Sequence, residues 1–532
     1  MRKLLFYIFA LSICVAYAYP DAAQQRKKRT RTDERIVLRH ADNLRFSENE
    51  MNGAQRLSGN VVLSHAGMVM HCDSAVLYNA SQTFDAFGKV HIVQGDTLTL
   101  KGERLHYDGE TQIAEMRKNV VMTHLRTDSL NYDRMYNVGY YFDGGELIDG
   151  DNILKSDWGE YHTDTRKATF NYNVQLTNPK FRLVTDTMHY NTINKWAEIV
   201  GKSNIYSGKD RIYTELAYYN TQTEKVRLLK HNALYNGTRI MKGDTVYYNK
   251  KNGVMEAFKN VSCVDEKNKN ILTGDYAWYN ENTGEAMATK HALARDFSQG
   301  KDTLYVHADT LRMYSYNLKT DSAYRVLHGY FHARAYRTDM QMVADSLVFT
   351  SKERKVTLYR DPIVWSDDRQ IVGEEINAFL NDSTVDSIYV DRQALTIEKL
   401  DSVHYNQVAS QQMRTYFNDK GEVTENQAIG NVMVVNYPLE KDSTILYQNY
   451  VETAKARMFM TNRKLTKIWA PASHGYFYPL GMAPADRTQL PGFAWFDYIR
   501  PLSPDDVFNW RGKKEGTALK PSIRRTAPLQ KL

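Results

Sequence analysis

One five-residue phrase governs what this chain can fold into: acidic, any residue, apolar, any residue, aromatic. It recurs as Asp128–Tyr132, Asp186–Tyr190, Glu215–Tyr219, Asp244–Tyr248 and Asp275–Tyr279, with degenerate copies opening at Asp73, Glu103, Asp157, Asp309, Asp345 and Glu374. From Asp128 through Asp157, Asp186 and Glu215 to Asp244 the step is 29 residues each time, and the flanking steps run from 25 to 36 residues. A period of this size marks a stacked repeat architecture in which no unit can bury its own oily face.

The third and fifth positions of each phrase alternate with more polar ones, so they share one face of a strand. That face is apolar in Leu105 and Tyr107, Leu130 and Tyr132, Met188 and Tyr190, Val246 and Tyr248, Leu311 and Met313, and Leu347 and Phe349. A turn such as Asn191-Thr192-Ile193-Asn194 follows, then a second alternating strand with Ala197 and Ile199 facing one way and Glu198 the other. A third short strand, typified by Val120-Val121-Met122, leads to the next unit. Strands of roughly five to seven residues with one oily and one wet face predict an all-β fold. Two facing antiparallel sheets would form an elongated β-jellyroll or solenoid, lined by corresponding residues of successive repeats. The acidic residue opening each phrase reads as a hydrogen-bond acceptor at a turn or strand start rather than a site carboxylate. The ends of such a stack expose strand edges that need a cap or a partner sheet edge.

Composition agrees: 42% hydrophobic residues, 25% charged residues and only 12 prolines exclude disorder as the main state, and 37 tyrosines suit a pleated, half-buried surface. Residues 1–18 read as a cleaved signal peptide, with Arg2 and Lys3, the apolar run Leu4–Val15 and the small-x-small site Ala16-Tyr17-Ala18. No later stretch approaches the ~20 apolar residues of a spanning helix. A basic linker, 19–35, follows, and most of the formal charge of +7 sits at the two ends of the chain. A nucleic-acid partner is therefore not expected, because its binding would need the cation surplus on the folded part. Only Cys72 and Cys263 remain after the signal, so packing rather than a disulfide framework builds the core.

Prolines set the main boundary. Only Pro179, Pro362 and Pro438 lie between residues 21 and 470, whereas eight prolines lie from Pro471 to Pro528. Each proline removes a ladder donor, so the sheet body is expected to end near Trp469. Residues 36–300 read as jellyroll repeats, and 301–470 as either their continuation or a second repeat region. Residues 471–532 form an irregular Pro-rich tail with an aromatic cluster at Phe493, Trp495, Phe496, Tyr498 and Trp510. That tail is expected to fold back over an open end of the body or to dock a partner, and its deletion to spare folding of the body.

The phrases Gly59-Asn60-Val61-Val62-Leu63, Gly88-Lys89-Val90-His91-Ile92 and Lys118-Asn119-Val120-Val121-Met122, set between acidic-x-apolar-x-Tyr strands, resemble the OstA (organic solvent tolerance) family. These are lipopolysaccharide-transport proteins typified by LptA, LptC and the N-terminal domain of LptD. The resemblance spans roughly residues 36–400 and extends to about 470; the array is longer than a small bridge protein of the family needs, and the last 60 or so residues show no membrane-barrel pattern. It implies a periplasmic, outer-membrane-biogenesis component, with outer-membrane association as a further expectation. It also implies an apolar trough that shields the acyl chains of lipopolysaccharide or lipid A, lined by Leu105, Tyr107, Leu130, Tyr132, Met188, Tyr190, Ala217, Tyr219, Val246 and Tyr248. Partners would be other OstA-like proteins through sheet edges, and end-to-end copies of the chain.

Catalysis finds little support in the sequence. The 15 histidines are scattered, neither Cys72 nor Cys263 has a zinc-type spacing, and no nucleophile-elbow, P-loop or H-E-x-x-H phrase occurs. No catalytic residue, metal or cofactor is expected. The competing expectation is an exported structural or adhesive repeat scaffold with a dry core.

Overall fold

The computed structural model describes residues 35–46, 53–95, 98–122, 125–298, 302–318, 320–381, 385–440, 442, 444–461 and 464–522. The signal peptide expected at 1–18, all of the expected basic linker but its last residue, and residues 523–532 lie outside the described residues. The chain divides into two compact units, Met1–Tyr172 and Asn173–Leu532. Both are built from antiparallel strands, as the alternation predicts; among the described residues no helix is long and apolar enough to cross a membrane.

In the first unit the strands Gln55–His65, Met68–Tyr78, Thr83–Gln94, Leu98–Asp108, Ile113–Met122 and Leu125–Asp133 form a meander. Several reach 11 or 12 residues rather than the five to seven expected, because each runs through a corner instead of stopping there. Pairing skips from Ser58 to Val61, from Phe87 to Val90 and from Arg117 to Val120. At these skips both residues turn left-handed: φ is 80° and 45° at Gly59 and Asn60, and 65° and 48° at Lys118 and Asn119. Two such residues bulge the strand and re-aim it from one sheet into the other. The Gly-Asn-Val and Lys-Asn-Val phrases are therefore corners. The second unit repeats the device at Lys259-Asn260, Lys290-His291, Phe331-His332, Arg360-Asp361, Arg392-Gln393 and Gly430-Asn431.

The recurrent acidic residue stands on the strand beside each corner. Asp42, Asp244, Asp275, Asp309 and Glu374 donate their backbone N–H groups to the carbonyls of Gly59, Lys259, Lys290, Phe331 and Arg392 at 2.8–3.2 Å. Their side chains hold the corner residue itself: Asn60 and Asn260 donate to Asp42 and Asp244, and His291 and His332 pair with Asp275 and Asp309 at 2.9 and 2.8 Å. A bulge leaves backbone groups unpaired, and a carboxylate with a polar corner residue is a local remedy.

Each long strand thus contributes the half on one side of its corner to wall A and the other half to wall B. In the first unit the interior of wall A carries Leu77, Phe84, Tyr107, Ala114 and Tyr132 in register, and wall B carries Leu63, Met70, Ile92, Leu100, Met122 and Leu125. All are buried in one core cluster. The wall ends meet and close: His65, beside the Ala66-Gly67 hairpin turn, hydrogen-bonds its Nδ1 to the Tyr107 hydroxyl at 2.7 Å, and the Tyr132 hydroxyl donates to Gln94. Burial pushes the Tyr107 hydroxyl pKa far up.

In the second unit the inner row of wall A runs strand by strand from Met188 through Ile199, Ala217, Leu228, Val246, Ala257, Ala277 and Ala288 to Leu311. It continues through Gly329, Leu347, Leu358, Ile376, Val390, Met413 and Ala428 to Ala456. Pairing passes residue 300 without a break. Strand structure also extends past Trp469 into a further strand, His474–Pro479.

The C-terminal tail folds back, but along the outer face of wall B rather than over an open end. Leu490, Phe493, Trp495, Phe496 and Ile499 pack on Ile363, Trp365, Leu395, Ile397 and Val435. Buried glutamines of the sheet hold the strap by its backbone: Gln370 donates to the Ala494 carbonyl and accepts from the Phe496 N–H, each at 2.8 Å. Gln407 does the same with Thr488 and Leu490 at 2.9 and 2.8 Å, and Gln341 accepts from the guanidinium side chain of Arg500. The tail is thus packed as part of the folded unit, and its deletion would expose the Trp365 face to water.

Candidate functional site

The two walls of the second unit face one another across a common core. Leu272, Ala294 and Val306 of wall B and Leu327, Val356 and Ala378 of wall A all lie partly buried against the cluster of Ala288, Leu311, Ala335, Met342, Leu347 and Leu358. Nearest the corner the packing is tight, with Ala292, Ala308 and Ala333 wholly buried. Small residues are what a sharp convergence of two sheets admits.

Away from the corner the inward-facing side chains become more exposed. The next inward-facing row of wall A is Tyr190, Ala197, Tyr219, Val226, Tyr248, Met255, Tyr279, Ala286, Met313, Leu327 and Phe349. Apart from Ala197 every member of this row is only half-buried. Wall B answers with Ile205, Ile212, Leu234, Met241, Cys263, Leu272, Ala294 and Val306, likewise half-buried. Across the mouth, the ring of Phe181 on wall B lies 6.5 Å from that of Tyr219 on wall A. At the far end the walls part around a cavity of about 240 Å³ lined by Val434, Val451, Ile468 and Phe477. The lip of wall B is polar, with Arg239 paired to Asp265 at 3.0 Å and Arg369 to Glu398 at 2.7 Å. On wall A the Tyr248 hydroxyl donates to Glu281 at 3.2 Å, and burial, with Glu281 beside it, pushes its pKa up to about 12.

The ten residues singled out from the sequence fall into three environments. Leu105, Tyr107, Leu130 and Tyr132 face the interior of the first unit, where each is at most 2% exposed. Met188, Ala217 and Val246 form the buried floor of the slot, and Tyr190, Tyr219 and Tyr248 its half-open side. The outward neighbours behave differently: Tyr218 donates its hydroxyl to Glu198 on the wet face at 2.6 Å.

Two groups of residues escaped sequence reasoning. Thr185, Ser203, Thr214 and Asn232 form a buried polar ladder along the corner, with Thr185 and Ser203 hydroxyls 2.8 Å apart and Thr214 donating to Asn232 at 2.8 Å. They satisfy carbonyls that the bulges leave out of the ladder, such as Val200 and Gly201. The glutamines under the strap are the other group; runs apolar on both strand faces, such as Ile363-Val364-Trp365, were the available signal that wall B has a second covered face. Among the described residues no group of three metal-ligating side chains occurs.

Residues 33–186 match the family described as OstA-like protein. Among solved structures, the chain is similar to the crystal structure of LptH from Pseudomonas aeruginosa, described as the LptA homologous periplasmic component of the conserved lipopolysaccharide transport device. Identity is 14%, and the match covers 26% of this chain and 82% of that one; a TM-score of 0.14 does not establish a shared fold. No curated protein matches.

Proposed function

Taking residues 33–186 as OstA-like, we propose that the chain is a periplasmic lipopolysaccharide-binding transport component that shelters acyl chains between the inner and outer membranes. The observation that carries this is the half-buried apolar slot of the second unit, from Tyr190 and Ile205 to Phe349. Each methylene exposed to water costs about 0.8 kcal/mol, so a twelve-carbon chain costs on the order of 10 kcal/mol and cannot cross an aqueous space unaided. A continuous apolar slot offsets that cost at every position, and it offers no point contact strong enough to hold the chain in place. The floor residues Met188, Ala217 and Val246 and the side residues Tyr190, Tyr219 and Tyr248 would line it, while the sugar headgroup stays at the polar lip. The role is non-enzymatic, with no cofactor. Other OstA-like proteins, or further copies of this chain, would pair through free sheet edges.

A second reading, an exported structural scaffold with a dry core, draws on the first unit, whose interior is packed throughout. Native mass spectrometry of the mature protein separates the two. Co-purified acylated glycolipid is expected for a carrier; a lipid-free chain that also fails to take up added lipopolysaccharide would favour the scaffold.

A further inference from the structure

Walls A and B of the second unit end in the strands Lys464–Trp469 and His474–Pro479, which pair with the two halves of Tyr447–Thr461. Two features coincide at this end. Apolar side chains project into water: Leu465, Ile468, Trp469, Tyr476, Phe477 and Met482 are all exposed, Phe477 to 61% and Met482 to 73%. Charge has a single sign as well. Between residues 453 and 485 the sequence holds Lys455, Arg457, Arg463, Lys464 and Lys467 and no aspartate or glutamate. Arg457 is tied to Glu425 at 2.6 Å, whereas Lys455 and Lys467 face solvent.

Lysines alone would only blunt an edge strand against unwanted pairing. A cluster of exposed aliphatic and aromatic side chains beside them acts in the opposite sense and calls for an apolar partner. Aromatic and aliphatic groups among a surplus of cations, with Glu425 taken up by Arg457 and Glu452 accepting from the Tyr450 hydroxyl, match the interface of an anionic bilayer, where rings sit at headgroup level and lysines meet phosphates. We propose that this end of the second unit docks onto an anionic lipid bilayer surface. The 240 Å³ cavity between the walls lies at the same place, lined by Ile468 and Phe477. An acyl chain leaving the bilayer would meet that cavity without an intervening layer of water. That purpose rests on the carrier reading, but the docking itself does not.

Sedimentation of the full mature chain with vesicles tests it. Binding is expected to mixed phosphatidylglycerol–phosphatidylcholine vesicles, weakening as salt is raised, and not to pure phosphatidylcholine. The double variant Phe477→Asp, Met482→Asp should lose about tenfold in vesicle affinity, with a thermal melt confirming its fold. Ile193→Asp, at a turn position 70% exposed, should leave binding unchanged. Absent binding to anionic vesicles, or undiminished binding by the double variant, overturns the proposal. So does a variant that changes only self-association in sedimentation velocity, since the patch would then be a chain-to-chain contact. Because no glycolipid is present, failure here leaves the slot reading standing, and a slot that takes up no micellar glycolipid in native mass spectrometry fails independently of docking.

Discussion

Glu215 sits between His231 at 2.8 Å and Lys230 at 3.2 Å, and these partners hold its carboxyl at about 2. A carboxylate depressed in the folded state stabilises the fold above its ordinary value near 4.5, and that contribution is lost as pH falls through about 2. Glu215→Gln should therefore lower the melting temperature at pH 6 and converge with the unsubstituted protein near pH 2; a constant difference across that range would contradict the pairing. Interior residues make a second contrast. Leu105 is 2% exposed in a closed core, so Leu105→Ala should cost about 2–5 kcal/mol in urea unfolding. Tyr219 lines an open slot, and Tyr219→Ala should cost roughly 1 kcal/mol. Equal costs would mean that the two interiors are alike. The phrase itself could not reveal this difference, since Tyr107, Tyr132, Tyr190, Tyr219 and Tyr248 all occupy its fifth position. What distinguishes them is who stands opposite: His65 and Gln94 close over Tyr107 and Tyr132, and no short-range pattern encodes that encounter.

At the level of elements, alternation was legible because period two maps directly onto the faces of a strand, and the apolar third and fifth positions do face inward. Strand length was not legible, because a corner such as Gly59-Asn60 looks in sequence like the end of a strand. In the fold it is a bulge that the strand passes through. The strap was half legible: its prolines and aromatics marked it as irregular, while its seat depends on glutamines far away in the chain. Gln370 is wholly buried and bonds Trp365, Ala494 and Phe496 together. Gln370→Ala should cost about 1–3 kcal/mol for each buried partner left unpaired and release the tail to limited proteolysis. A tail as resistant as before would show that apolar packing alone seats it. Removing residues 483–522 should yield an aggregating protein, by exposing Trp365, Ile397 and Val435 together.

At the scale of the whole molecule, the two units offer different interiors for one kind of corner-turned sheet pair. The first is filled with its own Phe84, Tyr107 and Tyr132; the second leaves a half-buried apolar row on each wall and space at its last strands. A carrier needs the second kind of interior, since a lipid tail can enter only where side chains have not already excluded it. Site-specific photo-crosslinking with lipopolysaccharide, using a photoreactive analogue at one position at a time, reads this out directly. Adducts should form at Tyr190 and Tyr219 inside the slot. They should be absent at His189 and Tyr218 on the wet face, and at Tyr132 in the closed core. Labelling that is equal on both faces of the wall, or absent from Tyr190 and Tyr219, would contradict a lipid-carrying slot.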